Sequence, residues 1–165
     1  MDSQLKARME TVRRALAAHE EPAPGFLAPP AEHLSFPKEV PPGYQEFLRL
    51  ADGAVCGVVI LYESDELLRK QGPAKELPGG RQRWFCIGDV DNKPLIMDNR
   101  INAVHLIDPE EKFDPDESLG DVEYFLLTYV FGDNYSEFVY DPADDPWYML
   151  LQGLHITQAL PERDL

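Results

Sequence analysis

The sequence predicts an α+β fold, a mainly antiparallel central sheet flanked by helices, and three observations predict it. First, the apolar segments RWFCIGD, KPLIMD and NAVHLID (residues 83–89, 93–98 and 102–108) follow one another across connections of only a few residues. Parallel neighbours would need a crossover of a dozen or more residues, so these strands pair antiparallel. Second, two segments nearer the N-terminus carry apolar residues at helical spacing. Third, 44% hydrophobic residues in a chain of 165 provide for one core in one domain, and 15 prolines punctuate its loops.

Residues 1–20 read as an amphipathic helix, because Leu5, Met9, Val12 and Leu16 fall on one face of a 3.6-residue period. Ser3 is the expected N-cap, and Pro22 and Pro24 end the pattern. Residues 21–42 hold seven prolines and one glycine and read as an extended connector. Its Phe26, Leu27, Leu34 and Phe36 tie it to the domain surface. A second helix begins near Pro41, with proline in its first turn, and runs through Tyr44, Phe47, Leu48 and Leu50. Asp52-Gly53 stops it. The run AVCGVVILY (54–62) then reads as a buried strand, and Ser64 caps a short helix, DELLRK, with Leu67 and Leu68 inward. Gly72, Pro73, Pro78, Gly79 and Gly80 make the next loop. After the three strands comes an acidic loop (108–121), then DVEYFLLTYVFG (121–132). That segment reads as a helix capped by Asp121, with Phe125, Tyr129 and Val130 inward, although its nearly continuous apolar run also fits a buried strand. Residues 133–165 form an acidic extension in which periodicity does not decide the conformation of WYMLL.

Charge is the strongest compositional signal. Thirty acidic against fifteen basic residues give a net of −15, and residues 105–165 carry −13 of it. Such a chain repels nucleic-acid phosphates and anionic membrane surfaces; the acidity suits attraction of a basic partner and equally suits plain solubility. No apolar run approaches the roughly 20 residues needed to cross a bilayer, and the N-terminal segment has no apolar core of a secretory signal. Cytoplasm is the expected compartment. Cys56 and Cys86 sit in apolar stretches and read as buried reduced thiols.

Chemical motifs are sparse. The histidines at 19, 33, 105 and 155 have no His or Cys at metal-ligand spacing, so no zinc site is expected. Asp114, Asp116 and Ser118 alternate as in a calcium loop, but Leu119 and Phe125 occupy the positions that need glycine and bidentate glutamate. Gly79-Gly80 before Arg81 and Arg83 could hold an anion, but reads better as a flexible loop. Asp89, Asp91 and Asp98 could supply an acid–base pair, yet Asp in tight turns also serves the backbone. No phosphate loop, GxGxxG or GxSxG occurs, so neither a cofactor nor catalysis is expected.

Several segments, taken in order, resemble the SUKH (SMI/KNR-like) superfamily over roughly residues 36–132. VPPGYQEFLRLADGA resembles that family's helix-and-turn. RWFCIGDVDNKPLIMD resembles its following core, with the family's glycine-rich acidic turn replaced by Asp89-Val90-Asp91-Asn92. NAVHLID would be the next strand and DVEYFLLTYV the C-terminal helix. The resemblance implies protein binding without catalysis, as in bacterial immunity proteins that block toxins, often nucleases, or in regulatory scaffolds.

Joined to the acidity, it implies a basic toxin domain as partner. The contacts would come from Asp108, Glu110, Glu111, Asp114, Asp116 and Glu117 in the loop, and from Asp133, Glu137, Asp141, Asp144 and Asp145 in the tail. Tyr135, Tyr140, Trp147 and Tyr148 lie among the tail acids and are suited either to anchoring a partner or to pinning the tail to the core. Two alternatives are a scaffold module for a host protein, and an enzyme or small-ligand sensor with a cleft around Trp84, Asp98 and His105.

Overall fold

The computed structural model describes residues 1–32 and 35–157, so His33 lies outside the described residues, as does the end of the predicted C-terminal extension. Six strands form one sheet in sequence order, every pair antiparallel. They are β1 (Gly25–Leu27), β2 (Ala54–Cys56), β3 (Val59–Leu61), β4 (Trp84–Val90), β5 (Lys93–Asp98) and β6 (Ala103–Leu106). The helices are α1 (Ser3–Ala17), α2 (Pro42–Leu48), α3 (Gly72–Glu76), α4 (Gly80–Arg83), α5 (Val122–Phe125) and α6 (Pro146–Gly153). The predicted α+β architecture, a central antiparallel sheet flanked by helices, is therefore observed.

One face of the sheet carries the main core. Leu27, Val59, Leu61, Phe85, Leu95 and Val104 pack there against Leu5, Met9 and Val12 of α1, Tyr44 and Phe47 of α2, and Phe125 of α5. Alternation along each strand puts the intervening residues on the other face. Over β4 and β5 that second face buries Trp84, Cys86 and Ile96 with Ala74 of α3, and Phe113 packs against them.

Local chemistry explains where the elements depart from expectation. The α1 cap is Asp2, not Ser3; its carboxylate accepts the Gln4 N–H at 2.6 Å. Residues 54–62 are two strands rather than one, turned by Gly57-Val58. Gly57 has φ +60, the glycine a type II′ hairpin turn takes at its first position, and an added Cβ would lie 2.1 Å from the Tyr135 hydroxyl. Ser64 caps no helix: its N–H and hydroxyl both donate to Asp52, at 2.7 and 3.1 Å. Residues 67–69 form a 3₁₀ turn in which Leu67 is buried and Leu68 exposed. The predicted 72–80 loop contains α3, and the proline-rich connector supplies β1.

The ambiguous segment 121–132 is helical. Asp121 caps α5 through the Tyr124 N–H, and Leu126–Val130 continue as a π-turn, with Phe125 and Val130 buried and Tyr129 half-buried. The Arg8 guanidinium collects two carbonyls of this wider turn, Leu127 and Phe131, each at 2.9 Å, and so bolts α1 to it. The β4–β5 turn, Asp91-Asn92, has φ +50 and +66, the type I′ geometry that Asp and Asn tolerate.

Candidate protein-binding surface

The β2–β3 turn and the β4–β5 turn emerge at the same end of the sheet, where Asp91 N–H donates to the Val58 carbonyl at 3.0 Å. From there a chain of contacts runs both ways. The Val58 N–H donates to the Tyr135 hydroxyl at 3.1 Å, and that hydroxyl donates to Asp145 at 3.2 Å. In the other direction Lys93 pairs with Asp108 at 3.2 Å. The Glu110 N–H and the Lys93 ammonium hold the Asp108 carboxyl below the usual carboxylate range. These contacts draw Asp145, Asp91, Asp108 and the following Glu110 and Glu111 onto one end of the sheet. Two sequence regions that looked separate, the loop and the tail, thereby share an acidic rim.

The tail aromatics divide between the two roles open to them. Tyr135 and Trp147 are fully buried and Tyr148 nearly so. Trp147 donates to the Val130 carbonyl at 2.9 Å, and Tyr135 stacks on Tyr148. Burial pushes the Tyr135 hydroxyl pKa up. These three pin the tail to the core, and Asp145 is occupied in capping α6. Tyr140 is fully exposed; Asp133, Glu137 and Asp144 are exposed and Asp141 is half-buried. In the loop, Asp114 accepts the Asp116 N–H, and the Ser118 hydroxyl accepts the Gly120 N–H, so the calcium-like residues serve their own backbone. Glu111, Asp114 and Glu117 line an open cleft of about 590 Å³ with Lys112 and Phe113.

The residues considered for catalysis do not converge. Asp89 sits opposite Pro94 and Asp98 opposite Trp84, so they lie near opposite ends of the paired strands, roughly 13 Å apart along the strand direction. Tyr62 donates to Asp89 at 3.2 Å. Asp98 is buried and takes hydrogen bonds from Arg83, at 3.0 and 3.2 Å, and from the Arg100 N–H at 3.0 Å. The same Arg83 guanidinium stands over the Trp84 ring at 4.4 Å. His105 is buried with the Trp84 and Phe113 rings edge-on to it. Its Nδ1 donates to the Glu117 carbonyl at 2.8 Å, and its Nε2 has no partner among the described residues. This cluster is packed with side chains and binds the acidic loop to the sheet.

Among the described residues, no three His, Cys, Asp or Glu side chains form a metal-holding group, and no helix is long and apolar enough to cross a membrane. Cys56 and Cys86 are both buried and free, and burial pushes the Cys86 thiol up to about 11. At the other end of the sheet, Lys38, Arg81, Asn99 and Asn102 line a cleft of about 370 Å³ in which Glu39 is the only acid among the described residues.

Sequence reasoning passed over one feature: Phe26, Val55 and Ile60 are exposed although each lies in a strand. Alternation in 54–56 and 59–61 would have signalled it, had the run been read as two strands. Comparison with protein-family models and with curated proteins returned no match for the chain.

Proposed function

We propose that this protein is a non-catalytic, protein-binding domain of the immunity type, which neutralises a basic toxin domain by covering its active or substrate-binding surface. The observation that carries this reading is the acidic rim: the Tyr135 hydroxyl holds the Asp145 carboxylate, Lys93 holds that of Asp108, and the backbone bond from the Asp91 N–H to the Val58 carbonyl brings the Asp91 turn to the same end of the sheet. Nuclease domains bind phosphates through basic surfaces, and a fixed row of carboxylates can occupy such a surface in place of the nucleic acid. The ordered resemblance of residues 36–132 to the SUKH superfamily supports the same class of function, within a bacterial polymorphic toxin system and in the cytoplasm.

The test is calorimetric titration with the basic nuclease domain of a toxin from the source organism, at low and high salt, alongside a nuclease assay. Tight binding that inhibits the nuclease and weakens as salt rises is expected. Replacing Asp91, Glu110, Glu111 and Asp144 by their amides should slow association about tenfold at low salt and flatten the salt dependence. Salt-independent binding that leaves the nuclease active would refute the reading.

A further inference from the structure

Among the described residues, the face of the sheet that carries Trp84 is covered over β4 to β6 and open over β1 to β3. Strand register places Phe26 opposite Val55, Val55 opposite Ile60 and Ile60 opposite Asp89, so these four side chains form one cross-strand row on that face. The three apolar members are 60%, 41% and 38% exposed, while Leu27, Ala54, Cys56, Val59 and Leu61 on the opposite face of the same strands are buried. Beside the row runs a shallow groove of about 190 Å³, lined by Phe26, Val55, Ile60, Tyr62, Glu63 and Glu66. Tyr62 marks the border with the covered half; its hydroxyl donates to Asp89, and the Lys70 ammonium stands 4.9 Å from its ring centroid.

An apolar centre inside a charged rim is the anatomy of a protein interface. The geometry points to a docking surface here for a basic protein segment with apolar anchors. The anchors cover Phe26, Val55 and Ile60, and lysines or arginines meet Glu63, Glu66 and Asp89. Charge complementarity selects this occupant over a second copy of the chain, which would bring the same carboxylates face to face in a protein of net charge −15. The inference rests on the reading of a basic protein partner given above, but it assigns a different surface from the acidic rim.

The test is a nitrogen-15 NMR titration of the full chain with a synthetic peptide of alternating Leu and Lys, and with its Leu–Glu counterpart. The expected result is amide shifts at Phe26, Val55 and Ile60 with the Leu–Lys peptide alone. Affinity should fall about tenfold in Phe26→Ser/Ile60→Thr and by a similar factor in Glu63→Lys/Glu66→Lys. The second variant changes only side chains at the rim of the groove and keeps the test valid if the first folds poorly. Shifts confined to Asp91, Asp108 and the tail, with affinity unchanged in both variants, would overturn the docking surface and leave the basic-partner reading standing. Absence of Leu–Lys binding anywhere would overturn both. Equal binding of the Leu–Glu peptide, or self-association that Phe26→Ser abolishes, would overturn the choice of occupant.

Discussion

Two halves of one sheet face meet opposite fates in this protein. Over β4 to β6, Trp84, Cys86 and Ile96 are sealed beneath α3 and Phe113. Over β1 to β3, Phe26, Val55 and Ile60 stand uncovered. The covered half also satisfies its polar groups. Gln71 is buried and donates to the Cys86 carbonyl while accepting the Cys86 N–H, both at 2.8 Å, so its side chain continues the β3 ladder past the end of that strand. Among the described residues, nothing comparable lies over the bare half. The lesson is that apolar strand residues serve stability only where something covers them; where nothing does, the same chemistry is left for a partner.

Variants in the covered half sharpen this comparison. Trp84→Ala should cost the most, about 3–5 kcal/mol in urea denaturation, because it empties the centre of that half. Gly88→Ala should follow, at roughly 1–3 kcal/mol, since the new Cβ would lie 2.0 Å from the Ile60 carbonyl oxygen and would push β3 off β4 at the bulge. Gln71→Leu should lose about 2 kcal/mol by leaving both backbone groups of Cys86 unpaired.

Asp98 adds a dependence on pH. Burial disfavours its carboxylate, but the Arg100 N–H, the Arg83 hydrogen bonds and the charges of both arginines outweigh that and lower its pKa from the ordinary value of 3.8. A lowered folded-state value stabilises the native state above the unfolded-state value and loses that stability as pH falls through the folded one. Stability should therefore fall below about pH 4, and Asp98→Asn should make that acid limb shallower in denaturation series. The smallest effect belongs to the bare half: Phe26→Ser should change stability by no more than about 0.5 kcal/mol.

The legible parts of the fold were those marked by local chemistry. Asp91-Asn92 and Asn102 punctuate β4 to β6, and Leu5, Met9 and Val12 mark α1 by period. The β2–β3 hairpin was hidden because its turn, Gly57-Val58, carries no polar residue inside a continuous apolar run. α3 was hidden because Gly72 and Pro73 look like a loop, although proline is at home in a first helical turn. At the site, the acids were legible as composition but not as a rim. The rim depends on Tyr135 reaching Val58 and on Lys93 pairing with Asp108, contacts between residues far apart in the chain. Likewise, no local signal separates buried Trp147 from exposed Tyr140. The bare row is tertiary information of the same kind, because Phe26 resembles any core phenylalanine until register and cover are known.

The most direct test measures stability and affinity on the same Phe26→Ser/Ile60→Thr protein, by urea denaturation and by titration with the Leu–Lys peptide. The expected result is an unchanged urea midpoint and about a tenfold loss of affinity. A lowered midpoint with affinity intact would contradict it, since the row would then belong to the stabilising core and the partner would bind elsewhere.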